Sequence, residues 1–162
     1  MKTSKQMTGV ITALAVKHGL DFAAIGSYIK LENESYMPLV IEVIGPYQVA
    51  VTHYYYQNGD AIADPEVTFF IRYGDQDCAV MAGDWGWIPL TIKQHPMFIS
   101  SYATSGGERI CTILSDDGSE VKSFYPKAQK DVASFSDTWA TNLKEQNWLG
   151  DQVKVTGRAP VH

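Results

Sequence analysis

Between Tyr28 and Tyr73 apolar residues recur at every second position in four consecutive runs. A side-chain period of two is the mark of a strand, because successive Cβ atoms point to opposite faces. Tyr28-Ile29-Lys30-Leu31-Glu32 alternates, and Leu39, Ile41 and Val43 share one face of the next run, with Glu42 on the other. Val49, Val51, His53 and Tyr55 line one face of the third, opposite Gln48, Thr52 and Tyr54. Val67, Phe69, Ile71 and Tyr73 line the fourth, with Thr68 and Arg72 turned away. The connections are short turn signals, Asn33-Glu34-Ser35, Gly45-Pro46 and a loop around Asn58-Gly59. Consecutive strands joined this way form an antiparallel meander with one covered face.

Two helices supply the cover. Met7, Val10, Ile11 and Leu14 follow helical spacing behind a Thr3 or Ser4 cap, and Gly19 supplies the stop. Pro126 suits a first helical turn, and Ala128, Val132, Phe135, Trp139 and Leu143 then recur along a helix ending near Trp148-Leu149-Gly150. Cys78 to Met81 and Ile88 to Ile92 read as short strands, and Ser100 to Gly107 as a mobile surface loop. Arg109 to Phe124 reads as a hairpin turning at Asp116-Asp117-Gly118-Ser119. Val153 and Val155 alternate in the tail as a final edge strand, with flexible residues after about position 156. The expected architecture is one α+β domain over residues 1–162. Its antiparallel sheet has about five to seven strands, with the N-terminal and C-terminal helices packed on one face.

The chain has 162 residues, 45% of them apolar, enough to bury a core without a staple. A net charge of −5 argues against nonspecific nucleic-acid binding, which needs a basic surface. Cys78 and Cys111 make no metal-ligand pattern and read as free thiols in a reducing compartment. The run Val10 to Val16 closes at Lys17-His18, as an amphipathic helix does, and no stretch has the roughly 20 apolar residues of a membrane span. A soluble, cytoplasmic protein is expected.

Chemistry-bearing side chains are densest from His53 to Glu66, which holds Tyr54, Tyr55, Tyr56, Asn58-Gly59, Asp60 and Asp64-Pro65. With a loop centred near Ala61, Tyr55 falls opposite Glu66 and His53 opposite Thr68. His53, Asp60, Asp64 and Glu66 then form a candidate divalent-metal set, and a metal-bound hydroxide there would serve a hydrolase or nuclease. The plainer reading is a hairpin turn with ordinary loop aspartates and a hydrogen-bonded core histidine. No common nuclease or phosphate-loop motif accompanies the four, and no Gly-x-Ser-x-Gly elbow is present.

Three segments carry a resemblance: Gly26 to Tyr28 through Pro38 to Glu42, the His53 to Glu66 stretch, and Thr138-Trp139-Ala140-Thr141-Asn142-Leu143-Lys144-Glu145-Gln146. Together they resemble an uncharacterised family of small proteins encoded on bacterial plasmids, conjugative elements and phages. The resemblance implies a mobile-element accessory protein inside a bacterial cell and no particular activity. Tyr54, Tyr56, Trp85 and Trp87, with Asp60, Asp64 and Glu66, are the candidate binding residues, because exposed aromatics beside carboxylates suit protein recognition. The leading expectation is a non-enzymatic protein without a cofactor that binds a host or phage protein, a defence component among the candidates. A metal-dependent hydrolase and a nucleotide-binding pocket walled by tyrosines are the alternatives.

Overall fold

The computed structural model describes residues 1–71, 86–94 and 108–159. Ser4 opens helix α1 (Lys5–His18), its hydroxyl oxygen accepting from the Met7 N–H, and Gly19 closes it in the left-handed conformation at φ 72°. Met7, Val10, Ile11 and Leu14 are each at most 1% exposed. Burial of a side chain of this size stabilises by about 1.5–3 kcal/mol, so the stripe fixes which side of α1 meets the sheet.

The four-strand meander forms as its periodicity predicts, as β1 (Tyr28–Glu32), β2 (Leu39–Gly45), β3 (Gln48–Gln57) and β4 (Asp60–Phe70), and β5 (Ile88–Lys93) and β6 (Glu108–Ile110) extend it. Two further strands, β7 (Thr112–Leu114) and β8 (Val121–Phe124), precede helix α2 (Pro126–Glu145), and β9 (Lys154–Ala159) follows it. The main sheet has seven antiparallel strands in the order β6-β5-β4-β3-β2-β1-β9. Ile29, Leu31, Leu39, Ile41, Val43, Val49, Val51, Val67 and Phe69 are wholly buried on the face that both helices cover. The tail pairs as an edge strand on β1, and Pro160 to His162 lie outside the described residues.

Side chains join the two helices. Asp137 on α2 accepts from the Ser4 hydroxyl at 2.7 Å and from the Gln6 N–H at 3.2 Å, and Lys144 donates to Gln6 Oε1. Helix α2 stops earlier than its apolar pattern suggests. Asn147 adopts a left-handed φ of 59°, which turns the chain back and buries Trp148 completely. No helix among the described residues is long and apolar enough to cross a membrane.

The predicted hairpin from Arg109 to Phe124 divides in two. Its first strand, β6, joins the main sheet, whereas β7 and β8 form a separate two-stranded sheet. Cys111 at the break is buried, donates its N–H to Leu90 O, and has its thiol pushed up to about 12 by burial, which makes it inert. At the tip, Asp117 Oδ1 accepts from both serine hydroxyls, Ser115 and Ser119, and from the Ser119 N–H. These bonds hold its carboxyl down at about 2. Gly118 beside it, at φ 73°, lies against Gln48, so the hairpin roofs part of the sheet's second face.

Trp87 departs from the expectation of a loop-borne ring. It is 1% exposed and packs edge-on to Phe22 at 5.5 Å and tilted to Phe69 at 5.7 Å. Its backbone bridges to α1: Ser4 donates its N–H to Trp87 O, and the Trp87 N–H donates to Thr8 Oγ1. A side chain at Gly86 would collide with Thr3, which explains the glycine before this tryptophan. Trp85, Cys78 to Met81, His95 and Ser100 to Gly107 lie outside the described residues.

Candidate functional site

The turn between β3 and β4 is shorter than a loop centred on Ala61. Asn58 and Gly59 alone make it, at φ 54° and 86°, the positive values that a two-residue hairpin turn of the right twist requires. Gln57 therefore pairs with Asp60, Tyr55 with Ile62 and Tyr54 with Ala63, while Thr52 pairs with Glu66. Asp60 sits at the strand entrance and Asp64 within the strand. The ladder absorbs one extra residue on β4 opposite His53, at Asp64-Pro65, a cis peptide bond. Proline has no N–H to give the ladder, so a bulge falls naturally there.

This register separates the proposed metal set. Val67 faces the helices, so Glu66 faces away, onto the second side of the sheet with Tyr54 and Glu42. The Tyr54 phenol is pushed up first by burial and then by Glu66 and Glu42, as its place among these groups demands. His53 points the other way, among the helices. Among the described residues, which include all four predicted ligands, no three His, Cys, Asp or Glu side chains converge to hold a metal ion. Tyr56 is 60% exposed beyond the sheet and receives a long hydrogen bond from Lys30 Nζ at 3.4 Å.

His53 is where the structure gathers distant parts of the chain. Its ring is 8% exposed and lies 5.3 Å from the Trp139 ring and 5.8 Å from the ring of Trp148, on the chain returning from α2. Its Nδ1 meets Pro38 O at 3.2 Å. A carbonyl only accepts, so Nδ1 carries the proton and Nε2 is left with its lone pair. Burial pushes the His53 pKa below the ordinary histidine value, and the Pro38 and Met37 carbonyls oppose that shift without reversing it.

Beside this ring lies a pocket of about 250 Å³. Helix α2 contributes Phe135, Thr138, Trp139 and Asn142 at helical spacing, with Gln146 just past its end. The β3 and β4 strands contribute His53 and Pro65, and the β1–β2 connection contributes Tyr36 and Met37. That connection is held in place by Asn33, whose buried amide donates to Gln146 O at 2.8 Å and accepts from Gln152 at 3.4 Å. Tyr36 also leans on Trp148, with ring centroids 6.4 Å apart. Among the described residues the lining contains no Asp, Glu, Lys or Arg. The Trp139 indole N–H is buried without a hydrogen-bond partner.

Among the described residues, His53 is the sequence-predicted one that lines this pocket. Phe135 and Trp139 read as apolar positions of the second helix, and Tyr36 and Met37 follow the Asn33-Glu34-Ser35 turn without a signal of their own. The available signal was the polar series Thr138, Asn142 and Gln146, spaced by four along the side of α2 that carries Trp139. The segments that carry the resemblance, the His53 stretch and Trp139 to Gln146, meet here.

The fold and pocket define an α+β domain with an uncharged, aromatic-walled recess between its sheet and its second helix. The chain belongs to the family described as Domain of unknown function (DUF6908), whose model matches residues 10–149. No curated protein and no solved structure matches the chain.

Proposed function

We propose that this is a non-enzymatic accessory protein that binds another protein by taking one of its side chains into the pocket beside His53. The observation that supports this most is the pocket's make-up: aromatic walls, no charged group, and a rim on which Tyr36 and Met37 are 45% and 43% exposed. A few aromatic and methionine contacts around a desolvated recess supply most of the energy in protein recognition. The volume is below the roughly 300–1,000 Å³ of small-molecule sites, which favours a single side chain over a nucleotide. The absence of a cation in the lining favours it too, because phosphate recognition relies on Arg or Lys. With the resemblance to plasmid, conjugative-element and phage proteins, we take the partner to be a host or phage protein met in a bacterial cytoplasm. Defence components are the first to screen.

Panning a phage-displayed random peptide library against the protein tests the reading. Asn142 is exposed on α2 yet lines the pocket, so Asn142→Trp plugs the site without entering the core. Selected peptides are expected to bind this variant at least about tenfold more weakly, roughly 1.4 kcal/mol. Peptides that bind plugged and open protein alike would sink the proposal.

A further inference from the structure

We propose that the pocket is specific for a tyrosine side chain, whose phenol hydroxyl donates a hydrogen bond to His53 Nε2. This rests on the reading of the pocket as an anchor site and adds the identity of the anchor. Two observations carry it. First, the Pro38 carbonyl fixes the ring with its proton on Nδ1, so the nitrogen left to a ligand is an acceptor and selects a donor. Second, about 250 Å³ beside Phe135, Trp139 and Tyr36 suits one aromatic side chain, and a phenol joins a flat apolar ring to a hydroxyl donor. Phosphotyrosine is a poor occupant, since the lining has no cationic side chain among the described residues.

The groups around His53 leave its state under its own control. From the β1–β2 connection come the Met37 and Pro38 carbonyls and the Tyr36 phenol; from β4, Pro65; from α2 and its exit, Trp139, Asn142, Gln146 and Trp148. Among the described residues of the lining, Tyr36 is the only other titratable side chain. Protonation of His53 would turn its acceptor into a second donor, to which the phenol oxygen would accept, so it is the neutral ring that demands a donor from the ligand.

The test titrates N-acetyl-tyrosinamide and N-acetyl-phenylalaninamide into ¹⁵N-labelled protein, following the Trp139 indole and Asn142 amide signals. At neutral pH the tyrosine amide is expected to bind about tenfold more tightly, the worth of one hydrogen bond to a buried acceptor. In His53→Phe the two amides are expected to bind alike, and in the wild type the His53 Nε2 signal at neutral pH is expected to shift with the tyrosine amide and stay in place with the phenylalanine amide. The imidazole signal needs no variant, so it decides the matter even if His53→Phe does not fold. Equal binding of both amides to the wild type at neutral pH would overturn the tyrosine assignment while leaving the anchor pocket standing. Shifts from neither amide would overturn the assignment, and the peptide selection with Asn142→Trp then judges the pocket separately.

Discussion

His53 and Tyr54 are neighbours in sequence and look onto opposite sides of the same sheet, and the two sides are built on different principles. On the His53 side, two helices close over a core that includes wholly buried Ile, Leu, Val and Phe side chains, and the recess left at its end is uncharged. On the Tyr54 side, Thr68 and Thr91 share a hydrogen bond of 2.7 Å, and the β7–β8 hairpin roofs a wider cavity of about 480 Å³. That cavity has Glu108, Asp116 and Asp117 in its lining. The difference teaches that pleat parity, rather than position along the chain, sorts a chemically dense stretch into separate environments. Glu66 and His53 look like partners in the sequence, yet the sheet itself stands between them.

The largest expected effect comes from removing a ring on the helix side. Trp87→Ala should destabilise the fold by about 3–5 kcal/mol, the range for truncating a buried aromatic, measured by urea unfolding. A loss under 1 kcal/mol would mean that Trp87 is not part of that core and would break the contrast between the faces. A smaller effect should follow pH. His53 has a lowered folded value, so in the interval between it and the ordinary value of 6.5 the unfolded chain binds more protons. Stability should be full above that interval and fall as the pH drops through it. His18 is shifted in the same direction and adds to the trend. The urea midpoint of His53→Phe should therefore vary less with pH than that of the wild type between neutrality and mild acid. Equal slopes would show that His53 is not buried as a neutral ring. The smallest effect belongs to the second side: Tyr56→Ala, at a 60% exposed position, should change stability by no more than about 0.5 kcal/mol. A larger loss in the same urea titration would show Tyr56 to be packed, and the second face to be more than a partly roofed surface.

Periodicity made the meander and both helices legible, because each buries one regular set of side chains against a single partner surface, whereas the tail strand β9 pairs with β1 while Val155 stays exposed. Register was another matter. The Asn58-Gly59 turn was visible, but its two-residue length and the bulge at Pro65 together decide what faces His53, and neither leaves a periodic trace. Trp87 was misplaced because strand parity says nothing about a residue whose partner is the N-terminus of a helix 83 positions earlier, at Ser4. The pocket was hidden for a related reason. It combines residues 36–37, 53, 65 and 135–146, and only the closed fold brings them to one place.

The sheet order has a consequence for how the molecule is made. From β1 to β6 every strand pairs with its predecessor in the chain, so the sheet can extend as the chain leaves the ribosome. Its apolar face, however, waits for α2, which follows β6. At ordinary synthesis rates the intervening chain takes roughly seconds to appear, and for that time the sheet's apolar face has only α1 to shield it. The rows of Val and Ile on that face are thus sealed only once Trp139 and Trp148 have been made.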